Sequence, residues 1–244
     1  IMSGIVYNDN IRIDKAGEKV ESTAELRIKG KQMPYVSRGG LKLEKAINEL
    51  NFDVKDKVMI DIGSSTGGFT DCALQNGAKF VYALDVGTNQ LVWKLRNDER
   101  VKVMEQTNFR HSVKEDFDVY DIDIASIDVS FISLSLILPN LAEIIKDGGE
   151  VCALVKPQFE AGKDKVGKGG IVRDKKVQLE VVEKVLLLAN SVGFSMTNLS
   201  YSPITGGEGN IEFLMILKYN ATKEAENKNI NIEHIVNNAH NHFK

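Results

Sequence analysis

Cysteine, proline and tryptophan are scarce: the 244 residues hold two, four and one of them. Cys72 and Cys152 each lie within an apolar run, which excludes a disulfide-built scaffold and predicts two buried free thiols suited to a reducing cytoplasm. Long hydrophobic runs are missing as well. The longest, from Phe131 to Ile145, is interrupted by Ser133, Ser135, Pro139, Asn140 and Glu143, so no membrane span is expected and a soluble globular chain is. Neither sign of charge dominates, with 31 basic against 34 acidic residues and a net charge of −3. Attraction for nucleic acid must therefore come from local patches. A hydrophobic content of 43% over this length supports one large core with room for a small appendage.

What is present centres on Asp61-Ile-Gly-Ser-Ser-Thr-Gly-Gly-Phe-Thr-Asp71, directly after the apolar run at 58–60. It reads as a buried strand turning into a helix near Gly67, with Gly63, Gly67 and Gly68 where a backbone must pass close to a ligand. The free N–H groups of that helix start offer a seat for a carboxylate or other anion. A second apolar run, Phe80 to Leu84, ends at Asp85, about twenty residues on, where an acidic side chain takes a ribose diol. The two halves together indicate a nucleotide-like cofactor. The spacing Asp-x-Gly-x-x-x-Gly departs from the dinucleotide fingerprint and is similar to the S-adenosylmethionine loop of Rossmann-like methyltransferases, which leaves nicotinamide as a minor alternative.

Taken in order, Ile1-Met-Ser-Gly4 reads as a helix end capped by glycine, in a domain that begins upstream. Short strands and polar turns follow at 5–7, 11–13 and 24–30, carrying Arg12, Lys15, Lys19, Arg27, Lys29 and Lys31. Residues 1–34 are similar to the latter part of the S-four-type (αL) RNA-binding domain, an ordinary solvated hairpin being the alternative. Residues 35–56 read as a linker and a helix with Leu43, Ala46, Ile47 and Leu50 at helical spacing. From 57 to 220, strands at 57–62, 80–85, 101–104, 122–128 and 150–156 alternate with helices at 69–75, 91–95 and 134–145. A glycine- and lysine-rich surface loop spans 158–174 before a helix at 175–192. Closing strands at 196–201 and 211–219 complete an α/β, Rossmann-like fold with a seven-stranded, mostly parallel sheet ending in an antiparallel hairpin. Residues 221–244 are a polar tail with a short helix near 232–239, and with no ligand pair among His234, His240 and His242 no metal is expected.

Four polar residues stand at element ends that such a fold draws together: Lys42, Asp128, Lys156 and Glu212. The set resembles the tetrad of the FtsJ-type ribose 2′-O-methyltransferases. The wider text, Ser37-Arg-Gly-Gly-Leu-Lys-Leu43, the glycine-rich stretch, Asp128-Val-Ser-Phe-Ile-Ser133, Val155-Lys-Pro-Gln-Phe-Glu160 and Gly209-Asn-Ile-Glu-Phe213, resembles the haemolysin-A (TlyA) family. That resemblance implies a bacterial ribosomal RNA 2′-O-methyltransferase that uses S-adenosylmethionine and takes ribosomal RNA or a ribosomal subunit as its partner. A monomer is expected.

On that reading Lys156 engages the ribose 2′-hydroxyl, as a neutral base or as a cation that orients it and holds the alkoxide. Lys42 adds positive potential, Asp128 fixes Lys156 and borders the methyl donor, and Glu212 positions Lys42. Cofactor contacts are assigned to Asp61, Gly63, Ser64, Ser65, Thr66, Gly67, Gly68, Phe69, Asp85, Asn108 and Asp128, and RNA contacts to Arg38, Lys163, Lys165, Lys168 and Arg173. Two rivals remain: methylation of an RNA base, which lacks a cysteine or an Asn/Asp-Pro-Pro-aromatic run after the 122–128 strand, and a membrane-active haemolysin, which lacks a spanning or strongly amphipathic basic helix.

Overall fold

A computed structural model describes residues 6–13, 15, 17–29, 33–222 and 224–244. The helix end expected at residues 1–4 lies outside them. The chain divides into two compact units, Ile1–Pro34 and Tyr35–Lys244.

In the first unit, β1 (Val6–Asn8), β2 (Ile11–Arg12) and β3 (Leu26–Ile28) form an antiparallel sheet of order β2-β1-β3. Asp9 turns the chain between β1 and β2 at φ 52, a conformation Asp tolerates better than most residues. Tyr7 stands opposite Arg12 and Arg27, and the Lys29 ammonium lies 4.8 Å from its ring centre.

The second unit is built on seven strands: β4 (Val58–Ile62), β5 (Phe80–Leu84), β6 (Val101–Met104), β7 (Ile124–Ile127), β8 (Glu150–Val155), β9 (Phe194–Tyr201) and β10 (Phe213–Tyr219). Their order is β6-β5-β4-β7-β8-β10-β9, with β10 antiparallel to both neighbours and the rest parallel. The fold is Rossmann-like, a mixed sheet with helices on both faces. Both faces are covered because the strands are apolar on both sides. Val58, Ile60 and Ile62 pack under α4 (Leu138–Ala142), α6 (Lys175–Ser191) and α7 (Ile232–His242), while Met59 packs under α1 (Gly40–Glu49), α2 (Gly68–Gln75) and α3 (Trp93–Arg96). From β4 the chain winds outward to β6 and then returns to β7 beside β4. A crevice therefore opens at the carboxyl ends of β4 and β7.

Three elements differ from expectation. The helix expected over 134–145 is a 3₁₀ turn, Leu134–Leu136, followed by α4, because Pro139 has no N–H to donate back to residue 135 and its ring would meet that carbonyl. The helix at 91–95 shortens to α3, since the N–H groups of Asn89, Gln90 and Leu91 are taken by the Glu105 carboxylate. The segment after β8 is partly ordered into α5 (Pro157–Glu160), a 3₁₀ turn at Lys163–Lys165 and a Gly167–Ile171 bridge. The polar tail is also corrected. Its helix α7 runs to His242 and buries Val236 and Ala239 against the core, and His240 bonds the buried Gln178 side chain at 2.9 Å.

Candidate active site

Four charged side chains from distant parts of the chain meet at the carboxyl edge of the sheet. Lys42 stands on the first turn of α1, Asp128 follows β7, Lys156 follows β8 and Glu212 precedes β10. Lys42 Nζ lies 2.7 Å from Glu212 Oε2 and 3.2 Å from Asp128 Oδ2, and Lys156 Nζ lies 2.5 Å from Asp128 Oδ1. Asp128 thus bridges two lysines, one on each oxygen. Burial favours a neutral Lys42, but Asp128 and Glu212 outweigh it and hold the ammonium above its ordinary value. Burial likewise favours a protonated Asp128, and Lys42 and Lys156 outweigh it and hold the carboxyl below its usual range. Glu212 fits because the neighbouring residue is Gly206: a Cβ there would come within 2.1 Å of Glu212 Oε1.

Two cavities share this edge. The smaller, about 390 Å³, lies between the ends of β4, β5 and β7. Its walls include Val86, Phe109, Ile132 and Ile137, with Asp85 and Asn108 supplying polar groups. Asp85 is held by the Ser65 N–H at 2.8 Å and the Gly87 N–H at 2.7 Å. Gly63 adopts φ 86, and a Cβ there would stand 2.5 Å from the Asp128 carbonyl oxygen, so the strand ends touch through backbone. The larger cavity, about 650 Å³, is bounded by Arg38, Lys42, Lys156, Gln158 and the turn from Ile204 to Glu208. Gly63, Ser65, Asp128, Ser130 and Phe131 line both.

Of the residues assigned to a cofactor, Gly63, Ser64, Ser65, Gly68, Phe69, Asp85, Asn108 and Asp128 line one cavity or the other. Asp61, Thr66 and Gly67 do not. Asp61 is fully buried and accepts hydrogen bonds from Thr70 at 2.7 Å and Ser126 at 2.9 Å, since the period of the strand turns it away from the crevice and under α2. Burial, opposed by those two bonds, pushes its carboxyl up to about 6. Thr66 is exposed, and Gly67 is pressed against Leu91 and Leu95.

Among the residues assigned to RNA, Arg38 reaches the larger cavity. Lys163, Lys165, Lys168 and Arg173 do not line it, and Lys165 is drawn to Glu180 on α6 at 2.5 Å. The bridge that closes that loop brings Gly169 and Gly170 to the wall instead. Ser130, Phe131 and Asn210 are among the cavity residues that sequence reasoning did not assign. Ser130 and Phe131 belong to a quoted motif but carry no charge to single them out, and Asn210 acts by amide geometry: its Oδ1 accepts from Val172 N–H at 3.1 Å while its Nδ2 donates to Gly170 O at 2.9 Å and Gly207 O at 3.2 Å.

Comparison with known proteins places this geometry. The model of the FtsJ-like methyltransferase family matches residues 35–219. YqxC of Bacillus subtilis, which carries the name of an rRNA methyltransferase, is 56% identical over 219 residues, covering 90% of this chain and 78% of its own. TlyA of Mycobacterium tuberculosis, named a 16S/23S rRNA (cytidine-2'-O)-methyltransferase, is 36% identical over 225 residues, covering 89% of this chain and 81% of its own. A solved structure from Streptococcus thermophilus with a hemolysin name superposes with a TM-score of 0.86 at 54% identity, covering 99% of this chain and 88% of that one. The family match takes in the whole sheet and all four charged residues of the cluster, and the chain belongs to the FtsJ-like methyltransferase family.

Proposed function

We propose that this chain methylates a ribose 2′-hydroxyl of ribosomal RNA, with S-adenosylmethionine as the methyl donor. The observation that carries the reading is the position of Lys156, in the wall of the larger cavity and fixed on Asp128, which lines both. The smaller cavity suits an adenosine: apolar walls for a flat base, Asn108 at its edge and the Asp85 carboxylate for a ribose diol. The bound donor supplies an electrophilic methyl group. Gly63 and Ser65 border its path, and Asp128 faces both sides.

On the other side, the larger cavity receives the RNA, with Arg38 available to a phosphate. Lys156 engages the 2′-hydroxyl and removes its proton or stabilises the forming alkoxide, while charged Lys42 shares Asp128 and raises the local positive potential. Glu212 keeps Lys42 in place. The small antiparallel sheet, with Tyr7 between Arg12 and Arg27, suits an S-four-type RNA-binding module that would add affinity. The rRNA names of the relatives support this substrate class, and the TlyA name makes cytidine the first nucleotide to test.

Base methylation through a cysteine fits poorly. Cys72 and Cys152 are both buried, and burial pushes the Cys72 thiol up to about 12 and raises that of Cys152. Among the described residues no helix is long and apolar enough to cross a membrane, so nothing here favours membrane insertion by a helix. The test is transfer of tritiated methyl from S-adenosylmethionine to bacterial ribosomal RNA, with the product nucleotide located by its resistance to alkaline cleavage. Lys156→Ala is expected to abolish transfer and keep cofactor binding. Label on a base rather than a ribose would overturn the reading.

A further inference from the structure

Lys156 has a second partner besides Asp128. Its Nζ lies 3.3 Å from Ser130 Oγ, and Ser130 lines both cavities. An amine nitrogen bonded to Cε has three directions left. Asp128, held as a carboxylate, only accepts, so the first direction carries an N–H to Oδ1. Ser130 accepts the second N–H. Only the third direction remains for the ribose hydroxyl, whether it holds a third N–H or the lone pair of a neutral amine.

From this count we infer that Ser130 is a positioning residue for the methyl transfer: it stops rotation of the Lys156 amine about its Cε–Nζ bond and aims the remaining direction at the target hydroxyl. Asp128 alone fixes one N–H and leaves the other two directions free to turn. No further side-chain acceptor for Lys156 is present among the described residues, and the Phe159 ring, 5.9 Å from Nζ, is too far to set direction. Ser130 stands outside the set of four charged residues, and its backbone adjoins Phe131, whose φ of 62 turns the chain sharply just after it. The hydroxyl is thereby presented next to a sharp turn of the chain.

The inference rests on the proposed ribose methylation, and the experiment separates the two. Steady-state transfer to ribosomal RNA is measured for the wild-type chain, Ser130→Ala and Ser130→Thr, with cofactor affinity of each by calorimetry. Ser130→Ala is expected to lower kcat by about 10- to 100-fold, with KM for RNA and cofactor affinity within twofold of wild type, and Ser130→Thr, which keeps the hydroxyl, to recover most of kcat. An alanine variant with wild-type kcat overturns the inference and leaves the methylation reading intact. So does a loss of cofactor affinity that accounts for the whole defect, because Ser130 would then act as cavity wall. A wild-type chain that transfers no methyl group to RNA overturns both.

Discussion

Lys42 and Glu212, 170 positions apart in the chain, meet at 2.7 Å with both side chains almost out of solvent. A buried ion pair is costly to form and more costly to break on one side, because the remaining charge keeps its desolvation cost and loses its compensation. Asp128 still serves Lys42 when Glu212 is removed, so the low end of the usual range applies. Glu212→Ala is expected to cost about 3 kcal/mol of stability, read as a lower urea midpoint at unchanged m-value. A variant as stable as wild type would show that the pair does not hold the cluster together.

Gly63 brings β4 against the backbone of Asp128, and its φ of 86 lies in a region that residues with a side chain rarely adopt. Gly63→Ala is expected to push the two strand ends apart at the seam of the cavities and weaken S-adenosylmethionine binding by at least about tenfold, since a displacement of about 1 Å at such a site costs up to about 100-fold. Calorimetric titration at matched protein stability reads this directly. Unchanged affinity would mean that the donor does not lie along Gly63.

Asp61 makes stability depend on pH. Its carboxyl sits at about 6 in the fold, above the ordinary value of 3.8, chiefly through burial. A raised acid binds its proton more tightly when folded, so its penalty is absent below pH 4, grows between 4 and 6 and is complete above 6. Wild type is expected to lose stability relative to Asp61→Asn across that window, by an amount on the order of 2 to 3 kcal/mol. Denaturant unfolding of the pair at several pH values from 4 to 8 measures it, and a flat difference would refute the assignment.

Glu105 holds the segment that walls the cofactor side. Its carboxylate takes Arg96 and the N–H groups of Asn89, Gln90 and Leu91, and Val86 and Gln90 of that segment line the smaller cavity. The Arg96 bond, against burial and aided by the three N–H groups, brings the carboxyl down to about 2. Its contribution to stability is therefore full above pH 4.5 and disappears as the pH falls from 4.5 toward 2. Glu105→Ala is expected to weaken cofactor binding about 5- to 10-fold while leaving RNA affinity unchanged, the loss of two or more charge-assisted bonds loosening the segment. Equal affinity for the cofactor in both chains would remove Glu105 from this role.

Several parts of the structure were legible in the chain because local chemistry dictates them. Near-continuous apolar runs such as Val58–Ile62 and Phe80–Leu84 require a sheet covered on both sides. The turn at Gly63 was marked by its glycines, and the closing hairpin of β9 and β10 by the glycine-rich turn between the two strands. Asp128 and Lys156 were conspicuous as charges ending apolar strands. The break at Leu136 to Leu138 was legible in Pro139 but was outweighed by the surrounding leucines and isoleucines.

The sequence by itself determined which residues are in the sheet, where the glycine-rich turn lies and which charges stand at the strand ends, because period and local backbone freedom act over a few residues. Tertiary structure alone decided that Asp61 faces α2 and misses the crevice, that Lys165 is spent on Glu180, and that the helix expected in the polar tail packs on the core. It also decided that Asp128 divides its two oxygens between Lys42 and Lys156, with Ser130 as the second partner of Lys156. These outcomes depend on distances between segments up to 170 positions apart, and such distances are set by the order of the strands and the packing of the helices, which no local pattern encodes.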